Sequence, residues 1–253
     1  MSLSDRVAIV TGSSRGLGKA IALTFAKAGA TVVVAARTEQ PHPRIAGTIH
    51  QTVAEIEAAG GVAIPFQCNV ASAEEIDMMG RHVLERLGHV DILVHNAAAN
   101  FPGGVADNDL RRWDILMNVN VRALFCLARA VLPSMQSRGW GHIISVSPKL
   151  DLNSQGGPYI QSKQSATRLA LSMAGEFAKH GIAVNCLWPE GLRRTEGTTL
   201  MGMSAPVVYS PQLFADAALS IVTKDPRTST GRTVLDTEVL RDDGVTNVSK
   251  YRL

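Results

Sequence analysis

Short apolar runs, many of them rich in Val and Ile, recur along the chain, and stretches with helical periodicity separate them. Because both faces of such a run must be dry, the pattern predicts strands of a parallel sheet that helices cover on both faces. The predicted strands are residues 7–10, 31–36, 63–66, 92–94, 142–146, 182–187 and 233–235. The pattern therefore predicts an α/β fold with a doubly wound, Rossmann-like parallel sheet of seven strands.

The predicted organisation is a single domain over residues 1–253, because the sequence contains no internal repeat, low-complexity tract or linker. Only the segment 189–211, rich in Gly, Thr and Met, resists assignment to a helix or strand. A loop of that length in a compact domain is more often a lid than a connector. We therefore expect it to cover a substrate site, and we refer to it as the lid segment.

Charge and cysteine usage limit the classes of partner. The formal net charge is +3, with Lys and Arg scattered among Asp and Glu, so no basic stripe predicts nucleic-acid binding. Cys68, Cys126 and Cys186 lack the C-x-x-C spacing of zinc or redox sites, which indicates core thiols in a reducing compartment. Asp5 and Arg6 stand where a signal peptide needs apolar residues, and no apolar window is long enough to span a bilayer. We expect a soluble, cytoplasmic protein with no nucleic-acid, membrane or metal partner.

The first predicted strand runs directly into the segment T-G-S-S-R-G-L-G at residues 11–18. Its three glycines permit a sharp turn, after which a helix begins and presents unpaired N–H groups and the positive end of its dipole. Such a turn predicts a pyrophosphate site, although G-x-x-x-G-x-G differs from the usual dinucleotide fingerprint and an ordinary glycine turn is the alternative. The cofactor residues predicted in this turn are Gly12, Ser14, Arg15, Gly16, Leu17 and Gly18.

The residues after the second strand predict which dinucleotide is bound. An NAD-selective site ordinarily places an acid there to bind the ribose hydroxyls, but this chain has Arg37 and Thr38. Arg37, together with Arg15 of the glycine turn, could hold a 2′-phosphate, which predicts NADP(H). The alternative is that both arginines are solvated surface residues.

The third and fourth strand ends supply further predicted cofactor contacts. Asn69 and Val70 are suited to an adenine edge and an adenine face, respectively. Asn96, Ala97 and Ala98 supply small residues where a ribose or a neighbouring strand approaches closely, and Asn96 can tie neighbouring loops together.

Tyr159 and Lys163 are four residues apart in a stretch, 159–180, that has helical composition, so they share one helix face. A free tyrosine has a pKa of roughly 10. A nearby ammonium lowers that pKa by stabilising the phenolate. The pair therefore predicts an acid–base site, although the same spacing also arises by chance where an interfacial Tyr lies beside a surface Lys.

In this order and spacing, the motifs resemble the short-chain dehydrogenase/reductase family over essentially the whole chain. The matching segments are T-G-S-S-R-G-L-G at 11–18, N-A-A at 96–98, N-V-N at 118–120 and Y-I-Q-S-K at 159–163. The segments 35–47 and 187–189 further resemble the branch called hydroxysteroid-dehydrogenase-like proteins.

The resemblance implies an NADP(H)-dependent oxidoreductase that acts on a carbonyl or secondary alcohol. Tyr159 would be the general acid and base, Lys163 would tune it and hold the nicotinamide ribose, and Asn120 would position a water. Pro189 and Thr195 would contact the cofactor. The resemblance also implies a homodimer or homotetramer built through the helical regions 110–137 and 159–180.

The chain departs from the family at the serine that orients the substrate, because Pro148 stands at that position. Ser147, one residue earlier, is our candidate for the role, and Asn153 and Ser154 are possible substitutes. The alternatives are that Tyr159 stabilises the oxyanion alone, or that the chain is a cofactor-binding sensor or scaffold with weak or no catalysis.

The lid segment departs from the family as well. The usual Pro-Gly becomes Pro189-Glu190-Gly191, and the usual threonine comes one residue late. Glu190, Arg193 and Arg194 are expected to bring charges near the nicotinamide. Apolar lid residues favour a substrate with an apolar body, although they could equally serve packing or a subunit contact. They are Leu192, Leu200, Met201 and Met203.

Overall fold

The computed structural model describes residues 1–150 and 156–253, and its centre is a parallel sheet of seven strands. Along the chain the strands are β1 (Val7–Thr11), β2 (Thr31–Ala36), β3 (Val62–Gln67), β4 (Ile92–His95), β5 (Gly141–Val146), β6 (Ile182–Trp188), β7 (Leu192–Arg193), β8 (Val208–Tyr209) and β9 (Thr233–Leu235). The large sheet has the order β3-β2-β1-β4-β5-β6-β9, whereas β7 and β8 pair separately. The predicted fold and its seven strands are confirmed, and the strand order reverses between β1 and β4, where ligands of such sheets bind.

Helices cover both faces of the sheet. They are α1 (Gly16–Lys27), α2 (Ile49–Ala58), α3 (Ala73–Leu87), α4 (Leu110–Met117), α5 (Ala123–Arg138), α6 (Gly157–Phe177), α7 (Glu196–Leu200), α8 (Pro211–Val222) and α9 (Asp236–Asp242). The apolar sides of α1, α2, α8 and α9 pack on one face, and those of α3, α5 and α6 pack on the other. Strands β1 and β5 are buried along their whole length, which explains the apolar run of β1, whereas β5 also buries the polar side chains of His142 and Ser145.

The lid segment contains regular structure, which corrects the expectation that residues 189–211 have none. β7 pairs in parallel with β8, with Leu192 opposite Val208, and the short helix α7 lies between them. Thr195 and Thr198 form a capping box at the start of α7. These elements are too short to produce a periodic pattern, so they could not be predicted from the residues alone.

Helices α4 and α5 form one continuous helix, because a π-helical turn over Asn118–Arg122 joins them. Within Leu110–Arg138 an 18-residue window has a mean hydropathy of 1.6, so by length and composition this helix could cross a membrane. The expectation that no window is sufficiently apolar is therefore wrong. Half of that window is buried inside the protein, where α5 packs against α3 and the sheet, as expected for a core helix.

Candidate active site

The glycine turn between β1 and α1 is an anion-binding cradle. Gly12 and Gly16 have φ angles of +68° and +60°, and a Cβ on Gly18 would lie 2.4 Å from the Asn96 side-chain nitrogen. The N-cap residue Arg15 makes no capping bond from its side chain to α1, which leaves the first-turn N–H groups to other acceptors. One of them, the Gly16 N–H, donates to the Glu196 carboxylate at 2.9 Å. A carboxylate is thus bound where the sequence predicts pyrophosphate, so the turn fits such a group.

The ends of β1 and β4 are tied together beside this turn. Asn96 donates its side-chain N–H groups to the carbonyls of Thr11 and Gly12 at 2.8 and 3.2 Å. The Thr11 hydroxyl accepts the backbone N–H groups of Asn96 and Ala97, both at 3.1 Å, and donates to the Val94 carbonyl. Asn96 therefore ties neighbouring loops as predicted, whereas the part played by Thr11 was missed because it needs the register of two distant strands.

The two arginines predicted to bind a 2′-phosphate line the same cavity, but they differ in whether their side chains are already hydrogen-bonded within the protein. Arg15 donates to the carbonyls of Ala46 and Gly47 at 2.8 and 2.7 Å, which fastens the loop between β2 and α2. Burial lowers the pKa of Arg15, while the charge of Glu196 raises it and that of Arg37 lowers it. Within the described ranges, the Arg37 side chain forms no hydrogen bond or ion pair. A cavity of about 410 Å³ is lined by Arg15, Arg37, Thr38, Glu39, Gln40, Pro41, His42, Ile45 and Gln67.

The two residues predicted to contact adenine differ in how far they are exposed. The Val70 side chain is only 7% exposed and packs in the core beneath the sheet edge, which leaves it little surface for a ligand. Asn69 is half-buried, and its backbone N–H donates to Glu75 while its side-chain oxygen accepts the N–H of Ala71. A contact from Asn69 and from the exposed Ala98 to a cofactor stays a prediction.

Tyr159 and Lys163 lie in the first two turns of α6. The Lys163 ammonium is buried, and it donates to the carbonyl of Val146 at the end of β5 at 2.9 Å. Burial lowers the pKa of Lys163 to about 8 and raises the pKa of Tyr159 to about 12. The expectation of a lowered phenol pKa is thus wrong for the protein by itself, because burial raises the pKa of Tyr159 and the Lys163 ammonium is not among the causes of its shift.

Asn120 connects α6 to the loop that follows β4. It is buried in the π-helical turn, where its side-chain oxygen accepts the N–H of Ala99 at 2.9 Å. Its side-chain nitrogen donates to the Ala99 carbonyl and, at 2.8 Å, to the hydroxyl of Ser162. Ser162 in turn donates to the carbonyl of Tyr159. Asn120 therefore positions the tyrosine-bearing turn, and its contact to a water stays a prediction.

Two buried hydrogen-bond donors without acceptors lie at the neighbouring ends of β5 and β6. Ser147 is 2% exposed, and its backbone N–H donates to Leu187, which places it beside Trp188. Among the described residues, neither the Ser147 hydroxyl nor the Trp188 indole N–H has a hydrogen-bond partner. A buried donor left unpaired costs about 1–3 kcal/mol, so a ligand oxygen would be a stabilising partner. The candidate substitutes Asn153 and Ser154 lie outside the described residues.

The charged side chains of Glu190 and Arg193, at the base of the lid segment, bind other groups of the protein. Arg193 is 3% exposed and forms an ion pair with the fully buried Asp236, which directly follows β9. Arg193 also donates to the Glu190 carbonyl at 2.8 Å and lies over the ring of Tyr209. The Glu190 carboxylate accepts the hydroxyl of Thr237. The expectation that Glu190 and Arg193 face the nicotinamide is therefore replaced by an anchoring role.

The lid segment crosses the glycine turn at Thr195 and Glu196. The Thr195 side chain comes within 3.4 Å of the position that a Cβ on Gly16 would take, and its hydroxyl caps α7. Thr195 thus lies beside the cradle, its contact to a cofactor stays a prediction, and Glu196 is a contact that sequence reasoning missed. Pro189 follows β6 at the same edge of the sheet, and its contact to a cofactor stays a prediction.

His95, the last residue of β4, is fully buried and its Nε2 bonds to the carbonyl of Val119 at 3.2 Å. Burial lowers the pKa of His95 to about 3 and that of His142 to about 4. In the unfolded chain a histidine has a pKa near 6.5. The stability that comes from keeping these two histidines neutral is therefore fully present above about pH 6.5, and it falls as the pH drops toward their pKa values in the folded protein.

We therefore expect the free energy of unfolding to fall by about 1 kcal/mol for each of the two histidines when the pH is lowered from 7.5 to 5.5. Urea unfolding at both pH values measures the loss for the wild type and for His95→Gln, which cannot titrate. The variant should lose about 1 kcal/mol less than the wild type. An equal loss in both proteins would contradict the assignment of a neutral, buried His95.

Known proteins resemble this chain over most of its length. The family model of short chain dehydrogenases matches residues 6–202. Hydroxysteroid dehydrogenase-like protein 2 from Homo sapiens is 38% identical over 259 residues, which cover 99% of this chain but only 61% of that protein. The chain thus spans about three fifths of this relative's length.

Solved structures resemble the whole fold. A short chain dehydrogenase from Mycobacterium thermoresistibile has a TM-score of 0.93 and 33% identity, over 99% of this chain and 91% of that one. A metagenomic short-chain oxidoreductase in complex with NADP has a TM-score of 0.80 and 31% identity, over 93% and 97% of the two chains. A 7α-hydroxysteroid dehydrogenase complexed with NADH and 7-oxo glycochenodeoxycholic acid has a TM-score of 0.82 and 29% identity, over 92% of this chain and 93% of that one.

Proposed function

This chain belongs to the short-chain dehydrogenase family, and we propose that it is an NADP(H)-dependent oxidoreductase that interconverts a carbonyl and a secondary alcohol on a partly apolar small molecule. One observation carries the proposal: an anion-binding glycine turn and a Tyr159/Lys163 pair lie at the same carboxyl edge of the sheet. Such an edge places a dinucleotide next to an acid–base group.

Residues of this chain would bind the cofactor and donate the proton. The glycine turn would hold the pyrophosphate, Arg15 and Arg37 the 2′-phosphate, and Lys163 the nicotinamide ribose. The bound nicotinamide supplies or accepts the hydride. Tyr159, which burial keeps protonated at neutral pH, would donate its proton to the carbonyl oxygen of the substrate.

The unpaired donors of Ser147 and Trp188 would orient that same oxygen. Both donor atoms are buried, so a substrate oxygen would be a stabilising acceptor for them, as the oxidoreductase proposal requires. The exposed apolar residues of the lid segment would cover the body of the substrate. Leu200, Met201 and Met203 are the residues in question, with exposed fractions of 59%, 49% and 51%.

The direct test is consumption of NADPH with a panel of aliphatic, aromatic and cyclic ketones and aldehydes. Turnover of any member at the wild-type site supports the oxidoreductase. Tight NADPH binding without turnover of any of them would instead favour the sensor or scaffold that Pro148 suggests.

Replacing Arg37 with alanine tests the choice of cofactor. The free guanidinium of Arg37 would form a charge-assisted hydrogen bond with a 2′-phosphate, so its loss should weaken NADPH binding by about 10- to 100-fold. NADH, which lacks that phosphate, should bind the variant and the wild type within about threefold of each other.

Fluorescence titration of both dinucleotides gives the dissociation constants. Arg81→Ala, on the exposed side of α3, is the matched control, because it removes the same charge without touching the site. Equal affinity of the wild type for NADH and NADPH would overturn the NADP(H) proposal and leave the dehydrogenase proposal intact.

A homodimer or homotetramer is the assembly we propose. The face formed by α4 and α5 leaves Trp113 and Phe125 exposed by 37% and 49%, and burial of these rings between subunits would stabilise an oligomer. Light scattering on the purified chain distinguishes a monomer from either assembly.

A further inference from the structure

Residues 195–203, which follow the anchored base of the lid segment, are hydrogen-bonded to the body of the protein at the cofactor cradle. The Glu196 carboxylate accepts the N–H of Gly16, which opens α1, at 2.9 Å. Over the described residues, this is the one hydrogen bond that joins residues 195–203 to anything outside the lid segment. Beyond it, α7 ends in apolar side chains that solvent surrounds, so packing adds little to hold the lid down.

The bond uses a donor that a bound pyrophosphate would need. Gly16 has no acceptor within α1, and its N–H points to an anion at the positive end of the helix dipole. The Thr195 side chain lies 3.4 Å from the position that a Cβ on the same glycine would take, so it also covers this part of the turn. A carboxylate and a pyrophosphate carry charges of the same sign, and they cannot share one N–H without strong repulsion.

The structure provides space into which the carboxylate can move. A cavity of about 660 Å³ lies next to the bond, between α1, the loop after β2 and the lid segment. Lys19, Arg44 and Arg194 line it together with Glu196 itself. Lys19 is already paired with Glu55 at 2.7 Å, so Arg44 and Arg194 are the cations that could receive Glu196 when it leaves the Gly16 N–H.

The lid base stays fixed during such a movement. Arg193 and Asp236 form a buried ion pair just before Thr195, so motion is confined to the part of the lid that follows. The ion pair thus anchors the base of the lid segment, and residues 195–203 are the part that could move.

We propose that Glu196 is a latch that determines cofactor affinity: it closes the lid on the empty cradle by occupying the Gly16 N–H, and a dinucleotide must displace it. This inference rests on the proposed dinucleotide function and deepens it. It predicts that part of the binding free energy of the cofactor is used to open the latch, and that removal of the carboxylate charge tightens binding.

The test is Glu196→Gln in the full chain, with Glu57→Gln as the matched control. Glu57 is an exposed residue of α2, so its replacement removes the same charge far from the cradle. Because a neutral amide competes less well for the N–H, Glu196→Gln should bind NADPH about tenfold tighter than the wild type. The control should stay within about twofold of the wild type.

Hydrogen exchange of residues 195–203 in the cofactor-free protein gives a second measurement that does not depend on binding. Exchange there should be faster in Glu196→Gln than in the wild type and in Glu57→Gln. Unchanged exchange, or an NADPH affinity equal to that of the control, would overturn the latch and leave the proposed function standing. Failure of all three proteins to bind any dinucleotide would overturn the proposed function, and the exchange rates would still decide whether the bond holds the lid.

Discussion

Tyr159→Phe is expected to lower kcat for carbonyl reduction by about 10³-fold and to leave the NADPH dissociation constant within about threefold of the wild type. The variant removes only the hydroxyl, which is the group that would donate the proton. In the part of the chain that the structure describes, this hydroxyl makes no hydrogen bond, so its loss leaves no protein partner unpaired. Lys163 keeps its bond to the Val146 carbonyl, and the cradle is untouched.

Single-turnover and steady-state rates with NADPH and the best substrate of the panel measure the effect. Tyr251→Phe is the matched control: its hydroxyl bonds to Asp216, outside the proposed site, so kcat should change less than about threefold. A Tyr159→Phe enzyme that retains near-wild-type kcat would show that another group donates the proton. Weakened NADPH binding in the same variant would instead assign Tyr159 to the cofactor.

The sheet could be predicted from sequence because its signal is local and strong. A strand that is buried on both faces is mostly apolar, and β1 shows this from Val7 to Val10. By contrast, β7 and β8 have two residues each, and they exist because the ion pair of Arg193 with Asp236 and the cap at Thr195 fix the chain between them. Contacts between residues so far apart in sequence leave no periodic pattern.

The same distinction explains which parts of the site could be predicted. A glycine that needs a positive φ, such as Gly12, is visible in the sequence because few other residues adopt that conformation. The contact of Glu196 with Gly16 joins residues 180 positions apart and depends on how the lid segment lies. Likewise, the raised pKa of Tyr159 comes from burial, which spacing to a lysine cannot reveal.

Asp236→Ala is expected to lower the free energy of unfolding by about 3–5 kcal/mol, because it leaves the Arg193 guanidinium buried without its counter-charge. Asp236 is fully buried and also accepts the backbone N–H groups of Glu190 and Thr237, at 3.0 and 2.9 Å. Its loss therefore unties the lid base from the end of β9 as well as removing a charge. We expect the lid segment to become the preferred site of proteolysis in this variant.

Asp242→Ala is the matched control, since Asp242 pairs with Arg232 at 3.3 Å but both side chains are about half exposed. Water screens such a pair, so the control should lose less than about 1 kcal/mol. Urea unfolding of both variants and of the wild type measures the difference. If the double variant Arg193→Met/Asp236→Leu recovers most of the stability that Asp236→Ala loses, the loss comes from the unpaired charge. Equal stability of Asp236→Ala and Asp242→Ala would instead mean that the buried pair does not hold the lid base.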